Sequence, residues 1–295
     1  MGTHRFQWTL SHLRWHTAHS FGEYYSLSTS LVILGSGYTA RFVLPLAERL
    51  YPRILATSRE PDRHLSHIQP DQRIQFDLTR QDTWKNIPTD ADLLWCFPAT
   101  PLDLVRQFAA TLEPRSRRLV VLGSTSSYRA GDMETDPPSW TDETAPIDLS
   151  KSRVQGEEYL REKHGAVVLR VAGIYGSGRN PLDWIKQGRV GLSRKYVNLI
   201  HVEDLAEICL TALQRGLSGE AYNVSDGTPR TWKDICCMAQ DRWGVQPSVE
   251  IDDAATGKRI ANGKLLSLLS SAQKSLAHVD LYRSLEQLHS EKAAT

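Results

Sequence analysis

A stretch of six residues, Gly35-Ser36-Gly37-Tyr38-Thr39-Ala40, lies between four apolar residues, Leu31–Leu34, and a run with Phe42, Val43, Leu46, Ala47 and Leu50 at helical spacing. The pattern predicts a buried strand, a tight turn and a helix. Gly35 suits the sharp turn, Gly37 lets a ligand approach the backbone, and Ala40 is small enough for close packing of helix on strand. The amides of Ser36, Gly37, Tyr38 and Thr39 would gather at a helix start whose dipole favours negative charge. That is the chemistry of a dinucleotide pyrophosphate.

More polar groups fall at the ends of later apolar runs. Ile54–Thr57 ends in Ser58-Arg59 with no acid before Glu60. A hydroxyl and a guanidinium therefore stand where a carboxylate would hold the adenosine ribose of NAD, and NADP is expected over NAD. A plain surface role for Arg59 is the alternative. Ile74–Phe76 ends in Asp77-Leu78, which suit the adenine amine and ring, although Asp77 equally suits a helix cap. Leu119–Leu122 ends in Gly123-Ser124-Thr125-Ser126-Ser127-Tyr128. This hydroxyl-rich loop could hydrogen-bond a substrate carbonyl or hydroxyl beside the nicotinamide, or simply make a turn. Ser124 and Tyr128 are candidate catalytic groups, and Ser126 a candidate substrate contact.

The elements that must position these residues read as a doubly wound α/β Rossmann-type sheet. Apolar runs at Leu31–Leu34, Ile54–Thr57, Ile74–Phe76, Leu93–Phe97, Leu119–Leu122 and Val167–Val171 alternate with helical patterns at Phe42–Leu50, Leu102–Leu112 and Val154–His164. Ligands of such sheets lie at the carboxyl ends of the strands. The expected organisation is an extension over 1–29, a nucleotide-binding domain over 30–174, and a mainly substrate-binding lobe over 175–295, with 197–215 packing back on the sheet.

A net charge of +1 over 295 residues offers no broad field for nucleic acid or an anionic membrane. The cluster Arg115, Arg117 and Arg118 is expected to be a solvated approach to the apolar run after it. No apolar run reaches the length of a membrane span. The four cysteines, Cys96, Cys209, Cys236 and Cys237, show no metal or redox spacing, so no metal is expected and a cytoplasmic location is. Cys236 and Cys237 are expected to pack along a helix begun by a Thr231 cap. Residues 1–30 carry four of the ten histidines and Glu23 as their one acid. They read as a disordered extension or an upstream start codon, with a weak likeness to an organelle transit segment.

These features, with Trp140-Thr141-Asp142-Glu143-Thr144-Ala145-Pro146, Leu169-Arg170-Val171-Ala172-Gly173-Ile174-Tyr175-Gly176, Asn198–Ala206 and Tyr222–Gly227, resemble the extended short-chain dehydrogenase/reductase family, the NAD-dependent epimerase/dehydratase group. The likeness runs from about Leu31 to Leu288. It implies an oxidoreductase, epimerase or dehydratase acting on a sugar-nucleotide-like or other small carbonyl or hydroxyl substrate, and a homodimer. It also implies a Tyr-x-x-x-Lys pair, in which Lys holds the nicotinamide ribose and lowers the Tyr pKa for proton transfer. Here that pair is missing. Aligning Ser152 and Glu157 with the family's helix puts Leu149 and Arg153 at the two positions, and the other register pairs Ile147 with Lys151. Tyr159-x-x-x-Lys163 has the literal spacing but lies about 15 Å too far along the helix.

What remains is similar to the atypical branch that keeps the cofactor motifs without the pair. Arg153 could grip the ribose but will not exchange protons, its pKa being above about 12. A proton would come from Tyr128, Tyr175 or water. Tyr175, Arg179 and Asn180 fall where a loop would line the substrate cleft, and Arg259, Asn262 and Lys264 where relatives close the pocket. A non-catalytic dinucleotide-binding regulator is the alternative function.

Overall fold

The computed structural model describes residues 30–112, 118–129, 137–247 and 257–293, so the expected extension over 1–29 lies outside the described residues. The seven strands of the main sheet lie in the spatial order Ala221–Val224, Val167–Val171, Leu119–Ser124, Asp92–Trp95, Ser30–Leu34, Arg53–Ser58, Arg73–Gln75. Every pairing is parallel. In chain order the sheet starts in the middle, works to one edge, then crosses to build the other half. The crossing leaves a crevice between the carboxyl ends of Ser30–Leu34 and Asp92–Trp95, where ligands of such sheets bind.

Strand alternation divides the core into two layers. Leu31 and Ile33 face the helices Tyr38–Ala47, Val202–Arg215 and Gly263–Ser271, in a core that includes Val43, Leu205 and Leu213. Val32 and Leu34 face the other way, into a core with Trp95, Phe108 and Leu160 from the side of Leu102–Leu112 and Ser152–His164. Because both faces are covered, these strands read as unbroken apolar runs. A smaller lobe has its own core of Tyr175, Leu182, Ile185, Leu199, Ile235 and Leu285. Its helix Trp232–Trp243 begins with a capping box, Thr231 and Asp234 each serving the other's backbone N–H.

Several expectations change. Ala221–Val224 pairs with Val167–Val171 and is the seventh strand of the main sheet, although it falls in the stretch assigned mainly to the lobe. It is four residues long and carries the polar Asn223 inside it, so it gives little strand signal. Cys236 is buried as expected, but Cys237 is exposed. Arg118 is not a solvated residue: its guanidinium donates to the carbonyls of Ala212, Leu213 and Gly216, at the end of the helix Val202–Arg215. Those carbonyls lie at the negative end of the helix dipole, where a cation is favourable. Arg115 and Arg117 lie outside the described residues.

Helix Ser152–His164 reaches the sheet through Gly156, where a Cβ would lie 1.9 Å from the Ala99 carbonyl oxygen. Gly156→Ala is expected to lower stability by about 2 kcal/mol or more, since backbone must shift to admit the methyl. Urea unfolding checks this.

Candidate functional site

The glycine turn is built as a cradle. Gly35 has φ +86 and donates its N–H to Thr57 Oγ1 at 2.9 Å, while Ser36 donates to the Thr57 carbonyl at 3.1 Å. These bonds fix the turn to the neighbouring strand. A Cβ on Gly37 would meet nothing within 4 Å, so open space lies against the backbone there. Gly37 caps the helix Tyr38–Ala47 without a side-chain bond, leaving its first amides unserved by any cap. Ser36 Oγ is buried with no hydrogen-bond partner. An uncapped helix start, an orphaned hydroxyl and a bare glycine backbone fit a pyrophosphate.

Two cavities of about 800 Å³ and 460 Å³ meet at this turn, sharing Gly37, Cys96 and Phe97. The larger is lined by Ser58, Arg59, Asp77 and Leu78, the expected adenosine-end residues. Arg41, Arg63 and His64 also line it, and sequence reasoning missed all three. Ser58 Oγ lies 3.0 Å from His64 Nδ1, which orients the hydroxyl. Asp77 does not cap a helix. Its Oδ1 accepts from Thr79 N–H at 2.9 Å and Thr79 Oγ1 at 2.8 Å, and Arg80 occupies the cap position of the turn Gln81–Asn86.

The smaller cavity is lined by Tyr38, Thr39, Ser124, Ser126, Arg153 and Arg179, among others. A chain of hydrogen bonds runs along its floor. Ser124 Oγ lies 3.1 Å from Ser126 Oγ, Arg153 Nη2 donates to Ser126 Oγ at 3.0 Å, and Arg153 Nη1 pairs with Glu157 Oε1 at 2.8 Å. Lys151 Nζ holds the Ser126 carbonyl at 2.8 Å. Glu157 is 1% exposed, and its other oxygen has no partner. Burial raises its pKa to about 7, with Arg153 and then Arg170 opposing the rise and Glu158 adding to it. Among the described residues lining this cavity, Tyr38 carries the one phenol. Its hydroxyl donates to the Ser177 carbonyl at 2.9 Å, Arg179 lies over its ring, and burial raises its pKa.

Other expected site residues lie elsewhere. Leu149 precedes the helix that begins at Ser152 and is 51% exposed, so the position aligned with the family's Tyr holds an outward apolar side chain. Tyr128 is buried at the seam between sheet and lobe, its hydroxyl donating to Asn223 Oδ1 at 2.6 Å and accepting from Arg170 Nη1 at 3.0 Å. Two strong partners and lack of exposure remove it from acid–base work. Tyr175 is fully buried in the lobe core, edge-on to His201. Asn180 caps the helix Pro181–Lys186 by accepting from Leu182 N–H. Arg259 stacks over Trp140 at 4.3 Å, Asn262 donates to the Ser225 carbonyl, and Lys264 pairs with Glu220. His201, Glu203 and His278 bring possible metal-ligand atoms within 4.8 Å of one another. The two imidazoles stack at 3.7 Å, which sends their in-plane lone pairs side by side rather than to one point.

No protein-family model matches the sequence, and no curated protein matches it. Solved structures do. A functionally unknown conserved protein from Silicibacter pomeroyi is 25% identical, with a TM-score of 0.66 over 90% of this chain and 99% of its own. A short-chain dehydrogenase/reductase superfamily protein from Agrobacterium tumefaciens with bound NAD is 14% identical, with a TM-score of 0.72 over 90% of this chain and 97% of its own. The dTDP-glucose 4,6-dehydratase of Bacillus anthracis in complex with NAD is 13% identical, with a TM-score of 0.69 over the same shares, 90% and 97%. The chain thus has the fold of the epimerase/dehydratase and short-chain dehydrogenase/reductase proteins, over nearly its whole described length.

The placement of Tyr128 generates a test. Tyr128→Phe is expected to cost about 1–3 kcal/mol in urea unfolding, because it leaves Asn223 and Arg170 buried with an unmet partner. Dinucleotide affinity, measured by calorimetry, should change less than about twofold, since the phenol does not line the cleft.

Proposed function

We propose that this chain binds NADP(H) across the two joined cavities and acts as an oxidoreductase or epimerase on a small hydroxyl or carbonyl substrate. The observation that carries this reading is the run Ser124, Ser126, Arg153, which lines the cavity adjoining the glycine cradle. A bound nicotinamide would supply hydride exchange. Ser124 and Ser126 hold the substrate oxygen, and Arg153, a permanent cation, stabilises negative charge that develops there. With Tyr128 and Tyr175 both buried away from the cleft, the proton comes from water. Arg179 and Ser126 serve as substrate contacts.

Supporting NADP over NAD are Arg41, Arg59, Arg63 and His64 around Ser58, with Asp77 the one acid among the described lining residues of that cavity. A 2′-phosphate finds charge-assisted donors there, while the carboxylate of nearby Glu60 is outside the lining and paired with Arg63 at 3.4 Å. Among the described residues no helix is long and apolar enough to cross a membrane.

The exposed Leu149 and the engaged Tyr38 hydroxyl favour a second reading, a dinucleotide-binding regulator without turnover. Transfer of deuterium from one face of labelled NADPH to a carbonyl panel distinguishes the two: one-sided transfer supports the enzyme, and none across the panel supports the regulator. For the cofactor itself, Arg59→Ala is expected to weaken NADPH binding by about tenfold or more and leave NADH within about twofold, as read by nicotinamide fluorescence. Equal losses for both nucleotides would remove the 2′-phosphate assignment.

A further inference from the structure

Resting on the dinucleotide reading above, we propose that Glu157 is a positioning residue whose protonation sets the net charge presented by Arg153 at the cavity floor, so that proton release accompanies binding of oxidised rather than reduced nicotinamide. The geometry is specific. Glu157 lies beneath the floor: its Oε2 would be 2.7 Å from a Cβ on Gly123, and Gly123 lines the cavity. Its Oε1 is tied to Arg153 Nη1, while Arg153 Nη2 reaches up to Ser126 Oγ. The guanidinium therefore bridges a buried carboxyl and the reacting end of the cleft. Because Oε2 has no partner, this carboxyl can carry a proton there without breaking its bond to Arg153.

The charged groups around Glu157 are few. Arg153 and Glu158 come from its own helix and Arg170 from the strand Val167–Val171, while the strand Leu119–Ser124 presents the uncharged Gly123. Glu158 is already engaged by Arg170 Nη2 at 2.9 Å and Arg161 Nε at 2.7 Å. Glu157 is thus the carboxylate left to balance Arg153. With Glu157 protonated, the pair carries one positive charge; with Glu157 ionised, it is neutral. An oxidised nicotinamide ring is cationic and a reduced one is neutral, whereas their phosphates are the same. The cationic ring is repelled by the positive pair and accepted by the neutral one, so it favours loss of the Glu157 proton. The raised pKa of the buried acid, about 7, puts this exchange in the neutral range.

Calorimetry of the full chain with NADP⁺ and with NADPH, repeated in phosphate and in Tris, reads protons exchanged from the buffer-dependent heat. Near pH 7 the oxidised form is expected to release about half a proton more than the reduced form. The ratio of the two Kd values, NADP⁺ over NADPH, should fall by up to about tenfold between pH 6 and pH 8. Glu157→Gln fixes the pair as positive, and should hold that ratio constant at its low-pH value. In the wild-type protein, difference infrared spectra should lose a protonated-carboxyl band when NADP⁺ binds, which tests the proposal without any variant. Equal proton release for the two nucleotides, or a pH-dependent ratio that survives in Glu157→Gln, overturns the proposal while leaving dinucleotide binding intact. Failure of both nucleotides to bind overturns the dinucleotide reading, and this proposal with it.

Discussion

Arg170 sits in the middle of the strand Val167–Val171 with its guanidinium inside the protein, and removing such a cation from water costs several kcal/mol unless its donors are met. Its two Nη groups are met by Glu158 Oε1 at 2.9 Å and the Tyr128 hydroxyl at 3.0 Å, with the Tyr128 ring beneath at 4.9 Å, while Nε is left without a partner. From Tyr128 the network passes to Asn223, whose N–H donates to Glu143 Oε1 and whose amide reaches the carbonyls of Thr141 and Ala261. One buried cation thereby joins two neighbouring strands, the helix Ser152–His164, and the two segments Trp140–Thr141 and Arg259–Ile260 that pair with each other. The cleft depends on this arrangement. Tyr128 anchors the far end of the Ser124–Tyr128 loop and Glu158 anchors the helix carrying Arg153, so the spacing of Ser126 and Arg153 is set from behind.

Charge is handled differently at the two ends of the cleft. Around Ser58 the cations are exposed and their number exceeds that of nearby acids, an arrangement that water tolerates cheaply and an anion would complete. Near Ser126 the cation is partly buried and hydrogen-bonded to Glu157. The first end is suited to gripping a highly charged group, the second to a neutral or weakly charged one whose polarity changes during reaction.

The sheet and the glycine cradle were legible because their signals are local. A buried parallel strand is apolar without interruption, and a turn that needs φ above zero needs glycine. Ser124, Ser126 and Arg153 were legible for a related reason: strand ends and a helix first turn must face the crevice in this topology. Tyr128 was misread because spacing cannot tell whether the residue after a turn points forward into the cleft or back into the seam, and the partner that decides it, Asn223, is 95 residues away. Arg41, Arg63 and His64 were missed because exposed polar side chains on a helix and a short turn look like solvated surface until folding brings them around Ser58. Arg118 carried no sign that the end of a helix nearly a hundred residues later would need it.

The return of Ala221–Val224 to the sheet bears on how this chain can be divided. Without it, Val167–Val171 would be an edge strand, with the backbone groups of Val168 and Arg170, and of Ala172 just beyond, left open on that side. Asn223 would be lost with it, leaving the Tyr128 and Arg170 groups without their far support. The nucleotide-binding half is therefore finished only after the first part of the smaller lobe, with Tyr175, Leu182 and Ile185, has been synthesised. On the ribosome, the first six strands must wait, incomplete and prone to pair with other chains, for a four-residue segment that closes their edge.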